Sequence, residues 1–189
     1  MKRNRKIHYH PCSTICHGEC EQILVKQMQV KTHKSLNPFS EKNGRNSIII
    51  NTVNDYLLAH FPTIEKYKAK FKDCLKIDKK KGILDHKIFS IMDKDDTPDE
   101  LFEKYKSGEL FSPYWWGKGG YIVPIYFCPN MDEVFKKHGF KIDVSNHKPA
   151  QYLKLLALKY PEVIAMLKSL PPSESNIKEY IEYIESYKY

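Results

Sequence analysis

No apolar run in this chain approaches the roughly 20 residues a membrane-crossing helix needs. The opening Met1-Lys2-Arg3-Asn4-Arg5-Lys6 is basic but is followed by neither the apolar stretch nor the small-residue cleavage site of a secretion signal. Both absences place the chain in the cytoplasm as an expectation. Cysteine is sparse and odd in number, five in all, which argues against a disulfide framework. No internal repeat is visible. No Ser/His/Asp or Cys/His arrangement suggests a covalent nucleophile. Gly117-Lys118-Gly119-Gly120 is too short, and wrongly placed, for a phosphate-binding loop leading from a strand into a helix.

What is present is an ordinary globular balance. The chain has 189 residues, 41% hydrophobic and 29% charged, enough for one domain with a real core. Lys and Arg number 31 against 23 acids, a net charge of +8. That favours a polyanionic partner through long-range steering. A lysine-heavy composition alone would give the same sum.

Hydrophobic patterning predicts alternating strands and helices. His8–Cys16 reads as a strand, then Glu21–Val30 as a helix with Ile23, Leu24 and Met28 at helical spacing. Residues 32–46 read as a loop. Ile48-Ile49-Ile50 reads as a short buried parallel strand. Helices follow at 53–61 and 64–75, then the charged turn Asp78-Lys79-Lys80-Lys81-Gly82. Lys87–Met92 is the strongest central strand. Pro98 opens a helix with Asp99 and Glu100 in its first turn. Residues 107–120 form a Gly/aromatic loop, and Tyr121–Phe127 a strand that Pro124 assigns to an edge or a bulge. Pro129-Asn130 opens a short helix, and further helices occupy 149–159, 161–168 and 176–187. The expected architecture is α/β: a mostly parallel four-stranded sheet, Rossmann-like, with helices on both faces. Its parts are a basic tail at 1–6, the α/β domain at 7–145 and a helical C-terminal extension at 146–189.

In such sheets ligands gather at the carboxyl ends of the strands. Two motifs sit there: His17-Gly18-Glu19-Cys20-Glu21 and Asp93-Lys94-Asp95-Asp96. If the chain stays extended, the carboxylates of Asp93 and Asp95 share one side. Close carboxylates repel unless a cation neutralises them, and Mg²⁺ is commonly held by one or two of them. Glu21 at the top of the first helix adds a third acid. The plainer reading is that Asp93–Asp96 only cap the helix that starts at Pro98.

The order of these motifs resembles the Toprim superfamily, whose pattern is a Glu-Gly turn after the first strand and Asp-x-Asp after a later one. Within it, the chain is most similar to small RloB-like proteins of bacterial anti-phage systems and to OLD-family nucleases. Cys16–Leu24 resembles their opening segment, Ile88–Asp96 their Asp-x-Asp strand, and Tyr121–Phe135 the strand and Pro-x-x-acid helix that follow. The resemblance spans about residues 10–140. It implies a nuclease that hydrolyses phosphodiester bonds of DNA or RNA with Mg²⁺ or Mn²⁺, in defence or growth arrest. Asp93, Asp95 and Glu21 would hold the metal, and His17 stands where the family has its glutamate. By this resemblance the catalytic set is His17, Glu21, Asp93 and Asp95, with Asp132 or Glu133 as a further acid. The same His17 also suits a site that binds without hydrolysis. A regulatory partner protein is also implied.

Three further groups carry competing readings. Lys94, Trp115, Lys118 and Lys148 are the candidate nucleic-acid contacts. Tyr114-Trp115-Trp116 offers stacking surface beside Lys118, or core and homodimer contacts. Lys148 reaches a phosphate or is a plain surface lysine. Cys12, Cys16 and Cys20 with His8, His10 and His17 resemble zinc spacing, but they cross a strand, a turn and a helix and would not converge.

Overall fold

The computed structural model describes residues 10–72, 74–78, 82–142 and 148–188. The basic tail, His8 and the Lys79–Lys81 turn lie outside them. The main sheet has four strands: β1 (Cys12–Cys16), β2 (Pro38–Phe39), β5 (Lys87–Asp93) and β6 (Ile122–Phe127). All pair in parallel, in the order β2-β1-β5-β6. A separate antiparallel hairpin joins β3 (Lys76–Asp78) to β4 (Gly82–Leu84). The fold is therefore α/β and Rossmann-like.

Alternation along the strands sorts side chains into two cores. Cys12, Cys16, Phe89, Ile91, Ile125 and Phe127 face one way. They are covered by α1 (Glu19–Thr32), α6 (Met131–Lys137), α7 (Lys148–Ser169) and α8 (Ile177–Ser186). Ile15, Ile88, Met92 and Tyr126 face the other way. There they meet α2 (Val53–His60), α3 (Ile64–Lys70), α4 (Asp99–Lys106) and α5 (Trp115–Lys118). Each fully buried Leu, Ile or Phe contributes roughly 1.5–3 kcal/mol. Buried hydroxyls link these layers. Tyr105 Oη donates to the carbonyls of Ser90 (2.6 Å) and Ile125 (2.9 Å), tying α4 to β5 and β6.

The C-terminal helices belong to the first core. Tyr180 packs edge-on against Phe89, 4.7 Å between centroids, and its hydroxyl meets Thr14 Oγ1 at 2.9 Å. The predicted break at Pro161 falls two residues earlier, where Lys159 leaves helical geometry (φ −129°, ψ 32°). Pro161 cannot donate to the helix and its ring crowds the preceding turn. Strand β6 is an edge, as Pro124 suggested. Asn176 covers part of it, accepting from the Tyr126 N–H and donating to the Pro124 carbonyl, both at 3.0 Å.

One strand was misplaced from sequence. Residues 48–50 are not a strand; the fourth strand is Pro38–Phe39, within the predicted loop. Ile48 and Ile50 are buried while Ile49 is 42% exposed, so the run alternates rather than lying inside a sheet. The Ile48 N–H reaches only the His17 carbonyl (2.8 Å), and Thr52 turns back on Ile49 (2.9 Å). The isoleucines thus anchor a crossing over the end of β1. Apolar content alone does not distinguish such a crossing from a buried strand. Predicted helices also end early: α3 stops at Lys70 rather than Leu75.

Candidate metal centre at the strand ends

The carboxyl ends of β1 and β5 are adjacent, and each hands one motif to the same place. The His17 N–H donates to the Ile91 carbonyl (2.9 Å), which fixes His17 just beyond β1. Asp93 is the last residue of β5 and is 8% exposed. Its Oδ1 accepts from the Met131 N–H (3.1 Å), the first residue of α6. Asp95 reaches the site by a different route from the one expected. The chain does not stay extended; Asp95 adopts φ +39°, a left-handed conformation that Asp tolerates better than most residues. Its N–H donates to the Pro129 carbonyl (2.8 Å), and its Oδ1 accepts from Asn130 Nδ2 (3.1 Å).

The result is a cluster. One ligand atom each from His17, Asp93 and Asp95 lie within 4.8 Å of one another. His17 Nε2 stands 3.9 Å from Asp95 Oδ2. His17 Nδ1 is buried and has no hydrogen-bond partner among the described residues. A buried polar atom left unpaired is costly and calls for a ligand or an ion. Asp93–Asp96 do not cap α4, whose cap position is Pro98.

These three residues line a cleft of about 460 Å³ together with Glu21, Asp132, Arg45 and Lys148. Glu21 is the third residue of α1, and its Oε2 accepts from the Gly18 N–H (2.8 Å). Burial pushes the Glu21 carboxyl up, with nearby His17 opposing. Burial also pushes Asp93 well up, and the Glu21 and Asp95 charges add to it. Asp132 accepts from Lys148 Nζ (2.5 Å) and from the Tyr152 hydroxyl (2.8 Å). That contact raises the Lys148 pKa. Five carboxyls border this cleft, those of Glu19, Glu21, Asp93, Asp95 and Asp132, and a divalent cation is the group that would relieve their mutual repulsion. The donor set of one imidazole and two carboxylates fits such an ion.

The remaining sequence candidates fall elsewhere. Lys94 pairs with Asp99 (2.6 Å) and lies over the Phe102 ring, outside the residues lining the cleft. Glu133 is also outside it, at an i,i+3 distance of 3.9 Å from Lys136. Trp115 is half-buried; its indole N–H donates to the Phe61 carbonyl (2.9 Å) and its ring packs near Tyr67 and Tyr121. Tyr121 leads into the start of β6, so Trp115 and exposed Lys118 sit at the opposite end of the sheet from Asp93. Of the four lysine and tryptophan candidates, only Lys148 borders the cleft. Among the described residues the cysteines belong to no metal-ligating group. Cys12 and Cys16 are fully buried, and burial pushes the Cys12 thiol up to about 12. Cys20 borders the cleft but is likewise raised to about 12, and His10 Nδ1 meets Asn37 Nδ2 at 2.7 Å.

Two contributors escaped the sequence reading. From sequence Asn130 is only a helix opener, and Arg45 lies in a predicted loop; both line the cleft. No protein-family model, curated protein or solved structure matches this chain.

Proposed function

We propose that this chain is a metal-dependent phosphodiesterase acting on nucleic acid, in the manner of the Toprim nucleases its motifs resemble. The observation that carries the reading is the convergence of His17, Asp93 and Asp95 within 4.8 Å at adjacent strand ends. His17, Asp93 and Asp95 would hold Mn²⁺ or Mg²⁺. Such an ion supplies polarisation of the phosphate and a lowered pKa for an attacking water. Met131 and Asn130 fix the orientations of Asp93 and Asp95, so neither carboxylate must be reorganised on binding. Glu21, buried and raised, is the group suited to hold or pass a proton beside the ligands. Lys148 borders the same cleft, where its ion pair with Asp132 holds that acid in place.

Incubating the purified chain with plasmid, single-stranded DNA, tRNA and ribosomal RNA in Mn²⁺ or Mg²⁺ tests this. Cleavage that disappears in Asp93→Ala is expected. Absence of cleavage on every substrate, with binding that survives removal of Asp93 and Asp95, would replace the nuclease by a non-catalytic binding module.

A further inference from the structure

We infer that Arg45 is the substrate-recognition residue of this cleft, its guanidinium gripping a phosphate group of the bound strand beside the His17–Asp93–Asp95 cluster. This rests on the reading of the cleft as a phosphodiester site.

Composition makes the residue conspicuous. The chain has 28 lysines and 3 arginines. Arg3 and Arg5 lie outside the described residues, so Arg45 is the one arginine within them, and it borders the cleft. A simple positive charge is supplied nearly everywhere else by lysine. Arginine differs in offering a planar fork of N–H donors that matches two phosphate oxygens at once.

Its charge is also unanswered. Lys148, the other cleft cation, is engaged by Asp132. Arg45 is exposed and makes no ion pair among the described residues, although acids stand around the same cleft.

The backbone that delivers it is built for one position. Lys42, Asn43 and Gly44 take three successive positive φ values, 45°, 60° and 85°. Non-glycine residues adopt that region only at an energetic cost. The turn is closed by the Gly44 N–H donating to the Glu41 carbonyl (2.8 Å) and by a bridge between Glu41 and Asn46. It rests directly on the start of α1: a Cβ on Gly44 would fall 2.5 Å from both the Cα and the N of Glu19. The backbone at Arg45 is thereby registered against the start of the helix that carries Glu21.

The test is fluorescence anisotropy of labelled single-stranded oligonucleotides in Ca²⁺, comparing the wild type with Arg45→Ala and Arg45→Lys. Two probes, one with a 5′-hydroxyl and one with a 5′-phosphate, separate an internal phosphate from a terminal one. Arg45→Ala is expected to weaken binding roughly 10- to 100-fold. Arg45→Lys should recover only a small part, because a point charge cannot replace the fork. Mn²⁺ affinity and melting temperature should be unchanged in both. Equal weakening on both probes assigns an internal phosphate; weakening only on the phosphorylated probe assigns a terminal one. Arg45→Ala within twofold of wild type, Arg45→Lys equal to wild type, or no oligonucleotide binding at all would overturn the inference. The nuclease reading fails separately, on absent cleavage in Mn²⁺, which leaves the Ca²⁺ binding result to stand.

Discussion

Asn130 ties Asp95 to helix α6: its Nδ2 donates to Asp95 Oδ1 at 3.1 Å while its own Oδ1 accepts from the Glu133 N–H at 2.9 Å. One side chain therefore caps the helix whose first N–H holds Asp93 and orients the second acid of the same cluster. Asn130→Ala should cost about 1 kcal/mol as a lost cap and also weaken Mn²⁺ binding. Asn130→Asp restores the cap but sets a like charge against Asp95. Thermal melting with and without Mn²⁺ separates the two roles. Equal melting of the three proteins would show that the contact has no energetic weight.

The acids of the cleft predict a metal-dependent gain in stability. A ligand that binds only the folded state raises stability by about 2.7 kcal/mol at a hundredfold excess over its dissociation constant. Mn²⁺ should raise the melting temperature of the wild type. In Asp93→Asn the metal-free protein should melt higher than the metal-free wild type, because the carboxylate that Glu21 and Asp95 repel is gone. The Mn²⁺ increment should disappear in the same variant. A retained increment would place the ion elsewhere.

A buried histidine away from the cleft sets an acid limit. His86 is 5% exposed and contacts the Tyr67 hydroxyl (2.6 Å) and the His10 carbonyl (2.9 Å). Burial lowers its pKa from 6.5 to about 4. The folded state thus resists its protonation. The stability it contributes is fully present above the unfolded value near 6.5 and is lost as pH falls through about 4. The window is worth about 3 kcal/mol at most. Urea unfolding at pH 7.5 and pH 4.5 should show this loss in the wild type. The difference between the two should shrink in His86→Gln, where no imidazole titrates. Glu21 and Asp93, both raised, act in the opposite sense over the same range, so the comparison between variants carries the result.

The turn before Arg45 should not accept a side chain at Gly44. Gly44→Ala places a methyl against the Glu19 backbone at a φ of +85°. Strain of about 1–3 kcal/mol is expected, together with a displaced Arg45. Chemical denaturation should detect the first. Oligonucleotide binding reduced to the level of Arg45→Ala should detect the second. Wild-type binding in a destabilised Gly44→Ala would mean that the turn serves only the fold.

Much of this organisation is local and therefore readable from residue order. The run Lys87–Asp93, an apolar strand ending in an acid, states both its burial and its end. Pro124 marks the edge, and Asp99 and Glu100 mark the start of α4. Residue order also shows Asp93 and Asp95 at a strand end, while His17 and Glu21 join them through the position they hold in the Toprim resemblance. The tertiary structure decided the rest. It placed β1 beside β5, so that two distant motifs meet. It turned Asp95 back through a left-handed residue, where sequence suggested an extended pair. It put Asp132 at the cleft and Glu133 outside it, a choice one residue of helix rotation makes. It sent Trp115 and Lys118 to the far end of the sheet, and it made Ile48–Ile50 a crossing rather than a strand. The place of Arg45 beside the acids depends on Gly44 resting against Glu19, a contact between segments that no local pattern encodes. Periodicity reports which face of an element is buried; which elements become neighbours is settled only when those faces pack together.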